Sequence, residues 1–230
     1  MTSLIAATAF FVLLHLLVSG TRLRTTLTSV IGEGPYMGLF SLASVAGLAW
    51  LGFAYAAERG QGEIWWGATD VGRYVQLGLT LLAFLLIVPG LTTPNPTSVK
   101  QEGALEKPNA VKGMLRITRH PFLWGVAIWA GGHVLVNGDA PSLLLFGGMF
   151  VLAIFGTASI DAKRKAALGA KYEAFMAQTS NIPFAAILAG RQKLSLGEIG
   201  WWRLALAVVI WAGLVGIHQM AFGVSALPHT

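Results

Sequence analysis

The sequence predicts an all-α fold, a polytopic bundle of about six transmembrane helices with one interfacial amphipathic helix on its basic side. Three observations carry that reading. Apolar residues make up 55% of the 230 positions and charged ones only 11%, less than half the roughly 25% charge of an ordinary soluble domain. Six apolar runs approach or reach the roughly 20 residues needed to cross a bilayer. Lysine and arginine fall in alternate connections between those runs, the pattern that orients helices across a membrane. The length suits one membrane domain over 1–230, and neither an internal repeat nor a low-complexity tract divides it.

The six runs are 4–19, 36–57, 72–91, 121–136, 141–160 and 201–222, the first and fourth short enough to stand upright or thin the bilayer. The opening residues lack the basic stretch of a cleavable signal peptide, so the first run is expected to be kept, and His15 with it. All but Arg59 and Arg73 of the 16 basic residues lie on one side. The positive-inside rule makes that side cytoplasmic, with both termini outside and a bacterial inner membrane as the expected location. The net charge of +6 is accordingly assigned to orientation against anionic lipid rather than to nucleic acid. Trp65-Trp66 and Trp201-Trp202 stand at span edges as interfacial anchors.

Two cytoplasmic connections are long. The stretch 92–118 opens on Thr-Thr-Pro-Asn-Pro and carries Pro108, which predicts an irregular lid or linker. Beyond Asp161, a candidate N-cap, Leu168, Tyr172, Phe175 and Met176 share one helical face opposite Lys163, Arg164 and Lys171. This predicts an interfacial helix that ends before Pro183.

The chain has no cysteine. Disulfides, thiolate zinc sites and cysteine-ligated iron–sulfur clusters are therefore excluded, and histidine becomes the main soft-metal ligand. Of the five histidines, His15 and His133 lie within apolar runs, where an ionisable ring marks a candidate site. The helical rise places them roughly 14 Å and 21 Å from the basic face. Two imidazoles at similar depth on different helices can hold a haem iron from opposite faces; equally, each can bond across helices. Arg22 extends the stripe of Phe11, His15 and Ser19 as a possible contact for a haem propionate, and Gly131 and Gly132 leave space beside His133. His218 is an alternative ligand in the last run. Arg116, Arg119 and His120 gather where the cytoplasmic loop becomes the fourth run, as headgroup contacts or as an anion or substrate clamp. Pro121 suits a first helical position, so the His120 ring is expected at the interface. His229, near the end of the chain, is expected in solvent.

The motif Gly113-Met-Leu-Arg-Ile-Thr-Arg-His-Pro121, the stretch Trp129-Ala-Gly-Gly-His133 and the run Ile182-Pro-Phe-Ala-Ala-Ile-Leu-Ala-Gly-Arg-Gln-Lys-Leu194 resemble the NnrU family, which includes 15-cis-zeta-carotene isomerase. The likeness runs from His15 through Ile31-Gly-Glu-Gly-Pro-Tyr36 to about Leu194. In the isomerase branch two histidines hold haem b, and a change in iron redox state is thought to free a site where a cis double bond isomerises. The resemblance carries those ligands onto His15 and His133. It implies haem b as cofactor and an apolar polyene as substrate, with membrane lipid as the surrounding partner. Plant members have a cysteine three residues before the second ligand where this chain has Ala130, so a thiolate cannot serve here. Bacterial members are associated with nitric oxide and nitrite metabolism in denitrifiers, which implies a haem-bearing accessory or sensor as the other reading. A weaker likeness, Arg-His-Pro followed by Gly169-Ala-Lys-Tyr172 and Pro183, joins the chain to membrane methyltransferases that use S-adenosylmethionine. Their paired glutamates are missing, since Asp161 is followed by Lys163, Arg164 and Lys165.

Overall fold

A computed structural model describes residues 1–228; His229 lies outside the described residues. Within them every regular element is helical, and the one β-bridge, Ile64 to Asp139, joins two loops. Helix α1 (Thr2–Leu13) continues through a π turn, Leu14–Val18, and α2 (Arg22–Ile31) leaves it at 81°. Thr21 makes that corner: its hydroxyl donates to the Leu17 carbonyl and accepts from the Leu23 N–H. Gly32, at φ +84°, turns the chain into α3 (Glu33–Glu58). Thr69 caps α4 (Asp70–Thr92) through the Gly72 N–H at 3.0 Å. The single turn α5 (Met114–Ile117) precedes α6 (Pro121–Val136), with Pro121 in the first turn, where its missing N–H costs nothing. Then α7 (Ala140–Ser142), a second π turn at Leu143–Gly147 and α8 (Gly148–Leu168) form one rod, Ala140–Leu168. Gly169, at φ +54°, ends the rod and begins α9 (Ala170–Gln178). The turn α10 (Ala185–Leu188) and the long α11 (Trp201–Phe222) complete the chain.

Four helices are long and apolar enough to cross a membrane: α3, α4, the α7–α8 rod and α11. A fifth is obtained if α1 and α2 count as one bent span, whereas α6 has only 16 residues. The chain is thus a membrane-helix protein with four to five candidate spans. Two of the six expected runs fall short for identifiable reasons, the corner at Thr21 and the late start that Pro121 imposes.

The helices pack as a row in the order α11, α4, α6, the α7–α8 rod, α1 and α3. Its two ends touch where the Arg59 guanidinium, just past α3, donates to the Phe222 carbonyl of α11. Between apolar helices in lipid, close approach is the main source of attraction, and glycines provide it here. Any side chain at Gly125 would collide with Ile87 and the Ala83 carbonyl of α4, and one at Gly132 with the Gln76 amide.

The basic end is a folded polar cap centred on Asp161. Asp161 lies inside α8, 8% exposed, and therefore is not the N-cap of a new helix as the sequence reading had it. The helix simply continues past Ile160 and breaks eight residues after Asp161, at Gly169. Its carboxylate accepts from Arg119 in a bidentate pair (2.9 and 2.6 Å), from His120 Nε2 at 2.8 Å and from Tyr172 Oη at 2.7 Å. Burial together with the adjacent carboxylate pushes the Tyr172 phenol well above its ordinary range. The apolar face predicted for this stretch exists, but Tyr172 and Phe175 are buried in a cluster with Leu115, flanked by Leu105, Val111, Leu168 and Met176. The protein's own loop covers that face.

That loop, expected as a lid or linker, is a strap. Thr93, Asn95 and Thr97 are buried, and Asn95 Nδ2 and Thr97 Oγ1 both donate to the Arg119 carbonyl. Pro96, fully buried, brings no N–H that this dry position would have to satisfy. Farther out, Arg116 grips Glu198 through Nε (2.7 Å) and Nη2 (2.9 Å), which holds the Glu198 carboxyl down to about 2.

Removing Asp161 would leave Arg119 and His120 buried without their acceptor. Asp161→Asn should therefore lower unfolding stability in detergent by about 3–5 kcal/mol, and Tyr172→Phe by about 1–2 kcal/mol. Equal and small effects would show that the network does not hold the cap. Because Glu198 is depressed in the fold, its contribution is complete above its unfolded value of 4.5 and is lost as pH falls toward 2. The thermal-stability gap between the parent and Glu198→Gln should be constant from pH 7 to about 5 and shrink below that.

Candidate functional site

Of the two histidines singled out in the apolar runs, one sits on a π turn and the other packs against one; such turns are local insertions that break the regular helical ladder and often mark functional positions. His15 is carried by the turn Leu14–Val18. His133 lies on α6, and its ring stacks on Phe146 of the turn Leu143–Gly147 at 4.5 Å and 19°.

Each ring is held by the same device. His15 Nδ1 lies 2.8 Å from the Phe11 carbonyl, and His133 Nδ1 lies 2.8 Å from that of Trp129, both one turn back. A carbonyl only accepts, so both Nδ1 atoms carry the proton and both Nε2 atoms keep a lone pair. Gln76 of α4 reinforces this at His133: its amide oxygen accepts from Nδ1 at 2.9 Å while its nitrogen donates to the Gly132 carbonyl at 2.8 Å. The surroundings are aromatic. His15 packs on Phe11 (4.5 Å) and Phe40 (5.2 Å), and Phe40 stacks on Tyr36; His133 lies against Trp129 (4.9 Å) as well as Phe146. The two rings share one apolar seam, because Phe11 belongs to the cluster that Tyr55 packs on, and Tyr55 meets Phe146 at 5.8 Å.

The rings do not touch. The α7–α8 rod packs between their helices, with Gly148 beside Thr8, Ser159 beside Gly20, and Phe150 beside Gly131. Projected on the rod, His15 lies about 8 Å nearer the basic end than His133.

Arg22 does not continue the His15 stripe, because the π turn and the 81° corner break the register; it is exposed on α2, with no side-chain partner among the described residues. The cation next to the His15 turn is Lys163, whose ammonium donates to the Ser19 carbonyl at 2.9 Å. Nearby hydroxyls are unengaged: Thr8 Oγ1, Tyr36 Oη and Ser159 Oγ are buried without a partner. Gly131 and Gly132 admit Phe150 and Gln76, so the space expected there is filled by neighbouring helices. His218 Nδ1 lies 2.7 Å from the Val224 carbonyl, and His218 is within electrostatic reach of His133. Arg116, Arg119 and His120 are committed to Glu198 and Asp161; His120 is 2% exposed, so its ring lies inside the cap and not at the interface. The Arg-His-Pro and Gly-x-x-Tyr elements thus meet on one carboxylate as a lock.

Gln76, Phe146, Lys163 and the fourfold role of Asp161 were not picked out from the sequence. The available signal was a lone polar side chain in or beside an apolar run, which applies to Gln76, Asp161 and Lys163; for Phe146 there was none. Among the described residues no three His, Asp or Glu side chains converge to hold an ion. A bare ion would therefore lack ligands, whereas a haem brings its equatorial nitrogens and asks the protein only for axial ones.

The chain is 28% identical over 194 residues to the protein named 15-cis-zeta-carotene isomerase, chloroplastic, of Zea mays, covering 81% of this chain and 50% of the relative. It is 33% identical over 104 residues to the protein of the same name from Arabidopsis thaliana, covering 44% of this chain and 28% of that one. The chain thus spans at most about half the length of these relatives. No solved structure matches it. The family model described as NnrU protein matches residues 3–226, nearly the whole length, and the chain belongs to the NnrU family.

Proposed function

We propose that this protein is a six-span membrane protein, both termini outside, that binds haem b through His15 and His133 and isomerises a cis double bond in an apolar polyene. The observation that carries the reading is the matched pair of imidazoles. Each has Nδ1 tied to a carbonyl and Nε2 free, which is the tautomer a metal-ligating histidine needs and the outer-shell bond that orients it. The kinship with proteins named 15-cis-zeta-carotene isomerase supports the reaction class. The sixth span in this reading is α6, whose 16 residues suffice if the bilayer thins beside it.

The residues suit the group. His15 and His133 would supply nitrogen ligands, Phe11, Phe40, Trp129 and Phe146 supply apolar walls that exclude water, and Lys163, beside the His15 turn, would supply a cation for its acidic edge. Bound there, a haem contributes an iron whose ligation changes with its oxidation state. The protein's share is to hold each ring by a carbonyl one turn back, with the Gln76 amide as a second acceptor at His133. Isomerisation consumes no electrons overall, so these residues need only exclude water and hold the polyene beside the group.

Protein purified in mild detergent from haem-supplied cells should carry close to one haem b per chain. His15→Ala and His133→Ala should each cut that content several-fold, and His218→Ala should leave it intact. Reduced protein should convert a cis-polyene to its trans isomer without added S-adenosylmethionine. Loss of haem in His218→Ala with retention in His15→Ala would overturn the ligand assignment. Haem-loaded protein inert toward polyenes would favour the accessory role.

A further inference from the structure

Helix α2 is unlike the rest of the chain. It follows a membrane-embedded helix through an 81° corner, so it runs close to the membrane plane if α1 stands across it. None of its residues is buried, and Leu23, Val30 and Ile31 are 44%, 77% and 40% exposed. Its apolar residues, Leu23, Leu27, Val30 and Ile31, stand at i, i+4, i+7 and i+8, which places them on one stripe. Arg22 and Arg24 flank that stripe on its two sides, and Thr25, Thr28 and Ser29 lie opposite. The hydroxyls of Thr26, Thr28 and Ser29 turn back onto carbonyls of their own helix, so the polar face needs no protein partner.

Charge at this corner is unbalanced toward cations. Arg24 pairs with Glu33 and Arg164 with Glu102, but Arg22 has no acid and Lys163 reaches only the carbonyl and hydroxyl of Ser19. An apolar stripe edged by arginines, at the end of a span and on the basic side of the molecule, matches the boundary between acyl chains and anionic headgroups.

We propose that α2 is an in-plane helix that seats Leu23, Leu27, Val30 and Ile31 at the acyl boundary and holds anionic lipid phosphate through Arg22, with Lys163 and Arg24 beside it. The lipid thereby fixes the corner that carries the His15 turn, because Lys163 ties Ser19 to α8 at the same place.

The absence of cysteine makes the test direct. Single-cysteine variants Leu27→Cys, Val30→Cys, Thr25→Cys and Thr28→Cys of the full chain are spin-labelled and reconstituted in nanodiscs. One set contains phosphatidylcholine alone and the other a quarter phosphatidylglycerol. Labels at 27 and 30 should collide mainly with oxygen, and labels at 25 and 28 mainly with a water-soluble nickel chelate. Phosphatidylglycerol should raise the oxygen-to-nickel ratio at 27 and 30 at least twofold, and Arg22→Gln should remove that gain. Four labels alike, whether in water or in acyl chains, would overturn the in-plane placement. A ratio indifferent to phosphatidylglycerol would overturn the lipid-phosphate contact.

Discussion

The carboxylate of Asp161 is the point on which the basic half of the molecule depends. A lone acid at the foot of an apolar helix is costly unless its charge and every lone pair are used. Here Arg119, His120 and Tyr172 use them, drawing the start of α6, the interior of α8 and α9 onto one atom group. The strap of Pro94 to Thr97 then closes over the Arg119 carbonyl. Since α6 and the α7–α8 rod bear His133 and its stacking partner Phe146, a network at the cap sets the register of a site well away from it.

Within the apolar layer the same economy works by different means. Helices there gain little from hydrophobic exclusion and adhere through close packing, so Gly125 and Gly132 bring α6 against α4. That contact presents the Gln76 amide to His133. Polar atoms in such a medium find partners or wait for a ligand, and the distribution here is uneven. The Nδ1 atoms of both histidines are satisfied, while the hydroxyls of Thr8, Tyr36 and Ser159 are buried without a partner. Those three hydroxyls lie on α1, α3 and α8, the helices around the His15 turn.

Much of this was legible in the sequence. Hydropathy gave the helical class and the positions of the long helices. Local chemistry was misread where tertiary packing decided the outcome. Asp161 resembles an N-cap in isolation, and only the arrival of Arg119 and His120 from a segment 40 residues away makes it a core anchor. Leu168 to Met176 form an apolar face that suits lipid as well as protein, and the loop that covers them is distant in sequence. Arg22 was placed by unbroken helical spacing, which a π turn and a Thr21 corner interrupt without any strong residue signal. The α2 stripe was visible as spacing, but its ten residues are too few to attract notice beside the longer runs.

Coordination by both imidazoles is the claim from which the functional reading follows, and pulsed electron paramagnetic resonance of the ferric protein tests it most directly. With histidine labelled by nitrogen-15, the spin-echo modulation should show a low-spin iron coupled to two imidazoles, falling to one in His15→Ala and in His133→Ala. A parent spectrum with a single imidazole, or two couplings that survive both substitutions, would contradict it.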